Sequence, residues 1–116
     1  EYQPIRVLLD VLPGNSSNII RLQPNRLIVV AILGTPEFNV GDIDQTSIVF
    51  GPARATKVHD KGHLEDVNGD GTPDMVLHFR CGESGIGPGD ESVTLYGRLN
   101  NREWIVGSDD ITVIAR

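Results

Sequence analysis

The sequence contains few of the residues on which many binding and catalytic functions depend. Its 116 residues include one cysteine, one tryptophan, two tyrosines and three phenylalanines. Because Cys81 is alone, an internal disulfide is excluded, and stability must come from the core or from a bound metal. A lone thiol also does not indicate the compartment in which the protein functions.

Excess positive charge and long apolar runs are also missing. The formal net charge is −6. Residues 1–58 hold five acids and five bases, so the whole negative excess lies in residues 59–116. No basic stripe is present, and we therefore predict no binding to nucleic acid or to an anionic membrane surface. No apolar run approaches about eighteen residues, so we also predict no membrane insertion.

The chain length suits one domain with a single core, and we predict one domain over residues 1–116. The sequence begins with Glu1 and has no basic segment followed by an apolar signal core. We therefore expect a part of a longer secreted protein, with a secretory signal that is absent or already removed.

The most informative stretch is residues 66–74, Asp-Val-Asn-Gly-Asp-Gly-Thr-Pro-Asp. Oxygen-bearing side chains occupy its first, third, fifth and ninth positions, and the seventh can offer a backbone carbonyl. Calcium takes about six to eight oxygen ligands in a flexible shell, which such a loop supplies. The alternative is a polar turn with a chance run of Asp and Gly. We predict a Ca²⁺ site with the ligands Asp66, Asn68, Asp70, Thr72 and Asp74.

The residues around this loop indicate the kind of calcium site. An EF-hand needs a helix on each side and a bidentate Glu at position twelve, which here is Leu77. The apolar segment 75–79 is typical of a strand, so the loop is predicted to connect a β-hairpin. It resembles the calcium hairpins of integrin-type β-propeller blades, and its first six residues resemble a dockerin half-loop. Dockerins carry a duplicated pair of loops, whereas this sequence has one.

The remaining chain shows short apolar segments separated by Gly and Pro, and no segment has a helical period over three turns. This pattern predicts an all-β fold, a β-sandwich of about eight or nine short, mainly antiparallel strands. The run 27–33 is continuously apolar and is predicted to be a central buried strand. Strands are predicted at 5–12, 19–22, 27–33, 47–50, 63–65, 75–79, 92–99, 104–107 and 111–115, with 55–59 as a further candidate.

Several segments in this order resemble a β-rich module of secreted, multidomain bacterial and archaeal proteins. The segments are 11–15 with 18–20, 30–34, 43–44 with 47–51, and 63–66 through 78–79. The resemblance spans residues 5–114. It implies an accessory module and not a catalyst.

Candidate catalytic groups are sparse. His63 and His78 lie on opposite arms of the predicted hairpin, where one register places them side by side, and Glu65 could complete a transition-metal site. Zinc usually needs roughly three or four aligned ligands, and such histidines more often hydrogen-bond across strands. The third histidine is His59.

Two other groups of residues have side chains that catalytic sites use. Cys81 could act as a nucleophile with a histidine, although an apolar hairpin favours a buried or unreactive thiol. Glu83 with Asp90 or Glu91 could form a glycosidase-like carboxylate pair, although a flexible loop does not fix their separation. No Gly-x-Ser-x-Gly motif is present, and we predict that the protein is not an enzyme.

Two functions of different classes remain. The favoured one is a non-catalytic structural module, stabilised by calcium, whose partners are neighbouring domains of an exported or cell-surface protein. The alternative is a calcium-dependent carbohydrate-binding module, which would need exposed rings on which sugars stack. Tyr2 lies at a terminus, and Tyr96 and Trp104 lie in predicted strands, where we expect a core role.

Overall fold

A computed structural model describes residues 3–15, 17–58 and 62–114. Within these ranges ten strands form three sheets, with a 3₁₀ turn at Val40–Asp42 and a helical turn at Cys81–Ser84. The predicted all-β class is confirmed. No helix in the described ranges is long and apolar enough to cross a membrane. The strands are β1 (Ile5–Arg6), β2 (Leu8–Val11), β3 (Ile19–Arg21), β4 (Leu27–Leu33), β5 (Ile43–Phe50), β6 (His63–Glu65), β7 (Asp74–Arg80), β8 (Ser92–Leu99), β9 (Trp104–Asp110) and β10 (Thr112–Ile114).

The strands are arranged in two four-stranded sheets and one two-stranded sheet. The first large sheet has the order β2-β4-β7-β6 and is antiparallel throughout. The second has the order β1-β9-β8-β5, in which only the β1–β9 pair is parallel. Strands β3 and β10 pair in parallel. This arrangement is compatible with a β-sandwich.

Both large sheets contribute side chains to one hydrophobic core. Strand β4 lies between β2 and β7, and its residues Ile28, Val30 and Ile32 are buried, as its apolar sequence predicts. Phe79 of β7 stacks on Phe50 of β5, with ring centroids 4.7 Å apart. Because these rings belong to different sheets, their contact packs one sheet against the other.

Several strand boundaries differ from prediction, and β9 extends from the predicted end at 107 to Asp110. The predicted strand 5–12 is divided at Val7, whose N–H bonds to the carbonyl of Val106 in one sheet while β2 pairs with β4 in the other. Strand β5 begins at Ile43, before the predicted 47–50. The candidate strand 55–59 is wrong over 55–58, because the chain turns back after β5 and only Ala55 forms a bridge, to Phe50. His59 lies outside the described residues.

The expected core role of the two strand aromatics is also wrong. Trp104 and Tyr96 are 47% and 45% exposed. Side chains alternate between the two sides of a strand, and the neighbours Ile105 and Leu95 occupy the core side. The aromatic rings therefore point away from the core.

These positions predict different costs of truncation for two aromatic residues. Phe79→Ala should lower the free energy of unfolding by about 3–5 kcal/mol, because it leaves a cavity between the sheets. Trp104→Ala should cost only roughly 0.5–1 kcal/mol, since the Arg98 guanidinium 5.3 Å from the exposed Trp104 ring supplies a weak cation–π contact. Urea denaturation of both variants measures the difference, and equal losses would contradict this placement of Trp104.

Candidate metal site

The acidic loop connects two paired strands, as its sequence predicts. Strands β6 and β7 are antiparallel, and their last register pair joins Glu65 to Asp74. The chain between these residues makes a sharp loop in which Gly69 and Gly71 have φ angles of 74° and 85°. Glycine adopts these left-handed angles without a steric penalty, which explains its use at both positions.

The first loop carboxylate organises the backbone around it. Oδ1 of Asp66 accepts hydrogen bonds from the N–H groups of Gly69 (2.9 Å) and Asp70 (3.2 Å). Its Oδ2 accepts from the N–H of Gly71 at 2.8 Å. The bond from Gly71 is the main cause that lowers the pKa of Asp66 below its usual value. The loop therefore surrounds an ionised carboxylate with its own N–H groups.

The last loop carboxylate attaches the loop to the sheet. Asp74 is fully buried. Its Oδ1 accepts from the N–H of Gly34, just beyond β4, at 2.7 Å, and its Oδ2 accepts from the N–H of Val67 at 2.9 Å. The loop backbone also packs closely there, since a Cβ on Gly34 would collide with the carbonyl oxygen of Pro73. One carboxylate thus joins the loop to the end of the central strand.

These bonds gather three carboxylates. One oxygen from each of Asp66, Asp70 and Asp74 lies within 4.8 Å of the others. Asp66 and Asp70 are exposed, whereas Asp74 is buried. This acidic cluster could hold a metal ion.

The other two predicted ligands lie in the same loop and contact Asp70. Oδ1 of Asn68 accepts from the N–H of Asp70 at 3.3 Å, and the N–H of Thr72 donates to Oδ1 of Asp70 at 2.9 Å. Among the described residues, Oδ2 of Asp70 accepts no hydrogen bond. A carboxylate oxygen that accepts one hydrogen bond also retains a second lone pair. The donors are all oxygens, and this chemistry fits a hard divalent cation.

Two residues beside the cluster were missed by the sequence analysis. Gly34 directly follows the apolar run 27–33, and its N–H holds Asp74. Asp10 on β2 was not singled out, yet burial raises its pKa, and the negative charges of Asp109 and Asp74 raise it further. Neither role has a local sequence signal, because each depends on strands that are distant in the chain.

The two hairpin histidines lie near each other without being register partners. His63 pairs with Val76, and its ring centroid is 6.3 Å from that of His78. Nε2 of His63 is 3.2 Å from Oε1 of Glu65. Within the described ranges the acidic cluster is the only group of three or more potential ligands, so these three side chains do not form the considered transition-metal site.

The other considered catalytic groups have local structural contacts. Cys81 is buried, and its Sγ lies 3.9 Å from the carbonyl oxygen of Arg21. Oδ2 of Asp90 accepts from the N–H of Gly87 within its own turn at 2.9 Å, and Glu83 lies 3.9 Å from Arg80. These contacts stabilise turns and the core.

No protein-family model matches the sequence, and no curated protein matches it significantly. Function is therefore inferred from the geometry of the site.

Asp74 and Asp70 have different surroundings, so their replacement by alanine should change the stability of the metal-free protein differently. In chelator, Asp74→Ala should lower the free energy of unfolding by roughly 1–3 kcal/mol, because the N–H of Gly34 loses its partner in a buried position. The partly buried N–H of Val67 should add less, since water can reach it. Asp70→Ala should leave stability equal or higher, since it removes one of three repelling charges from an exposed position. Chemical denaturation in chelator measures both values, and an Asp74→Ala variant as stable as wild type would contradict the tethering role.

The environment of Asp10 predicts that replacing this residue changes protein stability by an amount that depends on pH. A carboxyl whose pKa is raised by folding stabilises the native state below its unfolded pKa, and this contribution is lost as pH rises through the folded pKa. Asp10→Asn should therefore raise the melting temperature relative to wild type more at pH 7 than at pH 3. Asp42→Asn, an exposed change of equal charge, serves as control. A gain that is equal at both pH values, or no gain, would contradict the coupling of Asp10 to its neighbours.

Proposed function

We propose that this chain is a non-catalytic structural module of an extracellular multidomain protein, stabilised by one calcium ion. The observation that carries the proposal is the acidic cluster, in which buried Asp74 joins the hairpin loop to the end of β4. A cation in this cluster would be bound by Asp66, Asn68, Asp70, the carbonyl of Thr72 and Asp74. It would therefore fix the β6–β7 hairpin against the rest of its sheet.

Electrostatics supports a bound cation. Each pair of these carboxylates has oxygens within 4.8 Å of each other, so two ionised carboxylates of a pair repel each other. Three carboxylates contain three such pairs, and the described residues place no Lys or Arg within ion-pair distance of them. A divalent cation would attract all three carboxylates and offset their repulsion. Cation binding would therefore explain why the three carboxylates lie so close together.

The donor set and the loop geometry favour calcium over magnesium. Calcium accepts a variable number of oxygens at about 2.3–2.6 Å, whereas magnesium requires a near-octahedral shell at about 2.0–2.1 Å. A short loop without the twelfth-position Glu suits a modest affinity. Such a site stays loaded in the calcium-rich surroundings of a secreted or cell-surface protein, where neighbouring domains of the same chain would be its partners.

A second candidate function is a carbohydrate-binding module. The specific observation in its favour is the exposure of Trp104 and Tyr96, which point to solvent from neighbouring strands of one sheet. Exposed aromatic rings provide apolar surfaces for stacking. A carbohydrate role is compatible with a structural role for calcium, since the rings and the acidic loop belong to different sheets.

The calcium proposal predicts a single-site stabilisation that depends on Asp70. Titration of chelator-stripped protein should show one calcium site, with magnesium much weaker. Calcium at a hundredfold excess over Kd should add about 2.7 kcal/mol to the free energy of unfolding. Asp70→Ala should lose most of this gain, so that its melting temperature becomes nearly independent of calcium.

The matched control is Asp42→Ala, which removes an exposed aspartate of the 3₁₀ turn and should retain the full calcium effect. Isothermal titration and thermal melts report binding and stability independently. Equal calcium-dependent stabilisation of Asp70→Ala and wild type would place the ion elsewhere. An absence of both heat and thermal shift at millimolar calcium would remove the proposal.

A further inference from the structure

The solvent side of the β1-β9-β8-β5 sheet differs from the rest of this acidic protein. Burial alternates along β8, where Val93, Leu95 and Leu99 enter the core. The intervening Tyr96 and Arg98 therefore point outward. We call this solvent side the aromatic face, made of Arg6 on β1, Trp104, Val106 and Ser108 on β9, Thr94, Tyr96 and Arg98 on β8, and Asp44 and Val49 on β5, with Arg54 beside them.

The two exposed rings are diagonal neighbours on this face. Trp104 pairs with Arg98, and Tyr96 pairs with Val106. Diagonal positions on adjacent strands are about 7–8 Å apart, so one extended ligand can contact both rings. Each ring is nearly half exposed even with an arginine beside it.

Cations accompany both rings. The Cζ atom of Arg98 is 5.3 Å from the Trp104 ring centroid, and that of Arg54 is 5.9 Å from the Tyr96 ring centroid. Arg6, paired with Val106, adds a third guanidinium to the face. This grouping of positive charge occurs in a chain whose net charge is −6. Guanidinium groups bind carboxylates and sulfates in a bidentate geometry, and the rings hold two of them in position.

The aromatic face also carries hydrogen-bonding groups suited to hydroxyls. Asp44 pairs with Arg98, and its pKa is lowered mainly by the Thr46 hydroxyl, with further contributions from Arg98 and Lys57. A shallow depression of about 250 Å³ beside Tyr96 is lined by residues that include Thr94 and Arg54. This volume is below the roughly 300–1,000 Å³ of an enclosing ligand cleft, which favours a polymer lying along the face.

We propose that the aromatic face binds an acidic polysaccharide, such as a chain of uronic acid units. The proposal rests on the second proposed function, carbohydrate binding, and names its ligand class and its site. Trp104 and Tyr96 contact the apolar faces of sugar rings. Arg98 and Arg54 pair with the sugar carboxylates, and Asp44 accepts hydrogen bonds from sugar hydroxyls.

Single-stranded nucleic acid is the main competing polyanion, because it also uses aromatic rings and cations. Each of the two ligands carries about one negative charge per unit, so charge does not distinguish them and hydroxyl groups do. Asp44 lies among the arginines and can accept hydrogen bonds, which a DNA backbone without hydroxyls does not donate. A uronic acid chain carries hydroxyl donors along its length, which a carboxylate on the face can accept.

The aromatic face and the acidic cluster lie on different sheets, so calcium does not contact the polysaccharide. The cluster belongs to the hairpin of the β2-β4-β7-β6 sheet, and the core lies between the two sheets. Sugar binding should therefore persist in Asp70→Ala below its melting temperature. Different experiments therefore test the two proposals, and a result that contradicts one leaves the other standing.

The test is isothermal titration of the protein in chelator with tetragalacturonate, with the neutral cellotetraose and a single-stranded DNA oligonucleotide as comparisons. Tetragalacturonate should bind and change the fluorescence of Trp104, the one tryptophan of the chain, and added salt should weaken binding. Trp104→Ala and Arg98→Gln should each weaken binding at least tenfold while circular dichroism stays unchanged. Arg80→Gln, an equal charge change on the other large sheet, should bind within twofold of wild type.

Three outcomes would overturn the proposal. The first is an absence of tetragalacturonate binding by folded wild-type protein. The second is tighter binding of the oligonucleotide, which would assign the face to nucleic acid. The third is binding that survives both Trp104→Ala and Arg98→Gln, or that does not exceed binding of cellotetraose.

Discussion

The structure of the acidic loop depends on one fully buried carboxylate. Asp74 accepts hydrogen bonds from Gly34, at the end of the central strand, and from Val67, inside the loop. A buried charge is costly unless it is paired or hydrogen-bonded, and these two N–H groups satisfy both oxygens. One oxygen of Asp74 lies within 4.8 Å of an oxygen of Asp66 and of an oxygen of Asp70, which creates the repulsion that a cation would relieve. The fold of the loop and a bound cation would therefore use the same side chain.

Two surfaces of the molecule group charges of opposite sign. The β6–β7 hairpin carries the acidic cluster, and Asp10 and Asp109 add negative charge nearby. The outer side of the other large sheet instead presents arginines beside exposed rings. Since the core lies between the sheets, each surface can act without contacting the other. This separation accommodates a structural ion and a surface ligand in one small domain.

Local sequence patterns predicted much of this structure. The apolar run 27–33 forms a central strand with those bounds, and the Asp- and Gly-rich stretch connects a hairpin. Sequence patterns could not predict the side of the sheet to which Trp104 points. Strand alternation allows either the core side or the solvent side, and only packing selects between them. Gly107 faces the core, where a Cβ would meet Val7 at 3.0 Å, and this close approach places Trp104 outside. The role of Gly34 could not be predicted either, because its partner Asp74 is distant in the sequence.

Anomalous X-ray diffraction from crystals grown with calcium would show whether the acidic cluster holds the ion, because it locates the ion without relying on stability or affinity. We expect one anomalous peak at about 2.3–2.6 Å from carboxylate oxygens of Asp66, Asp70 and Asp74. The same crystals should keep the bonds from Gly34 and Val67 to Asp74. A folded loop with no peak among these three carboxylates, or a peak at another site, would contradict the account.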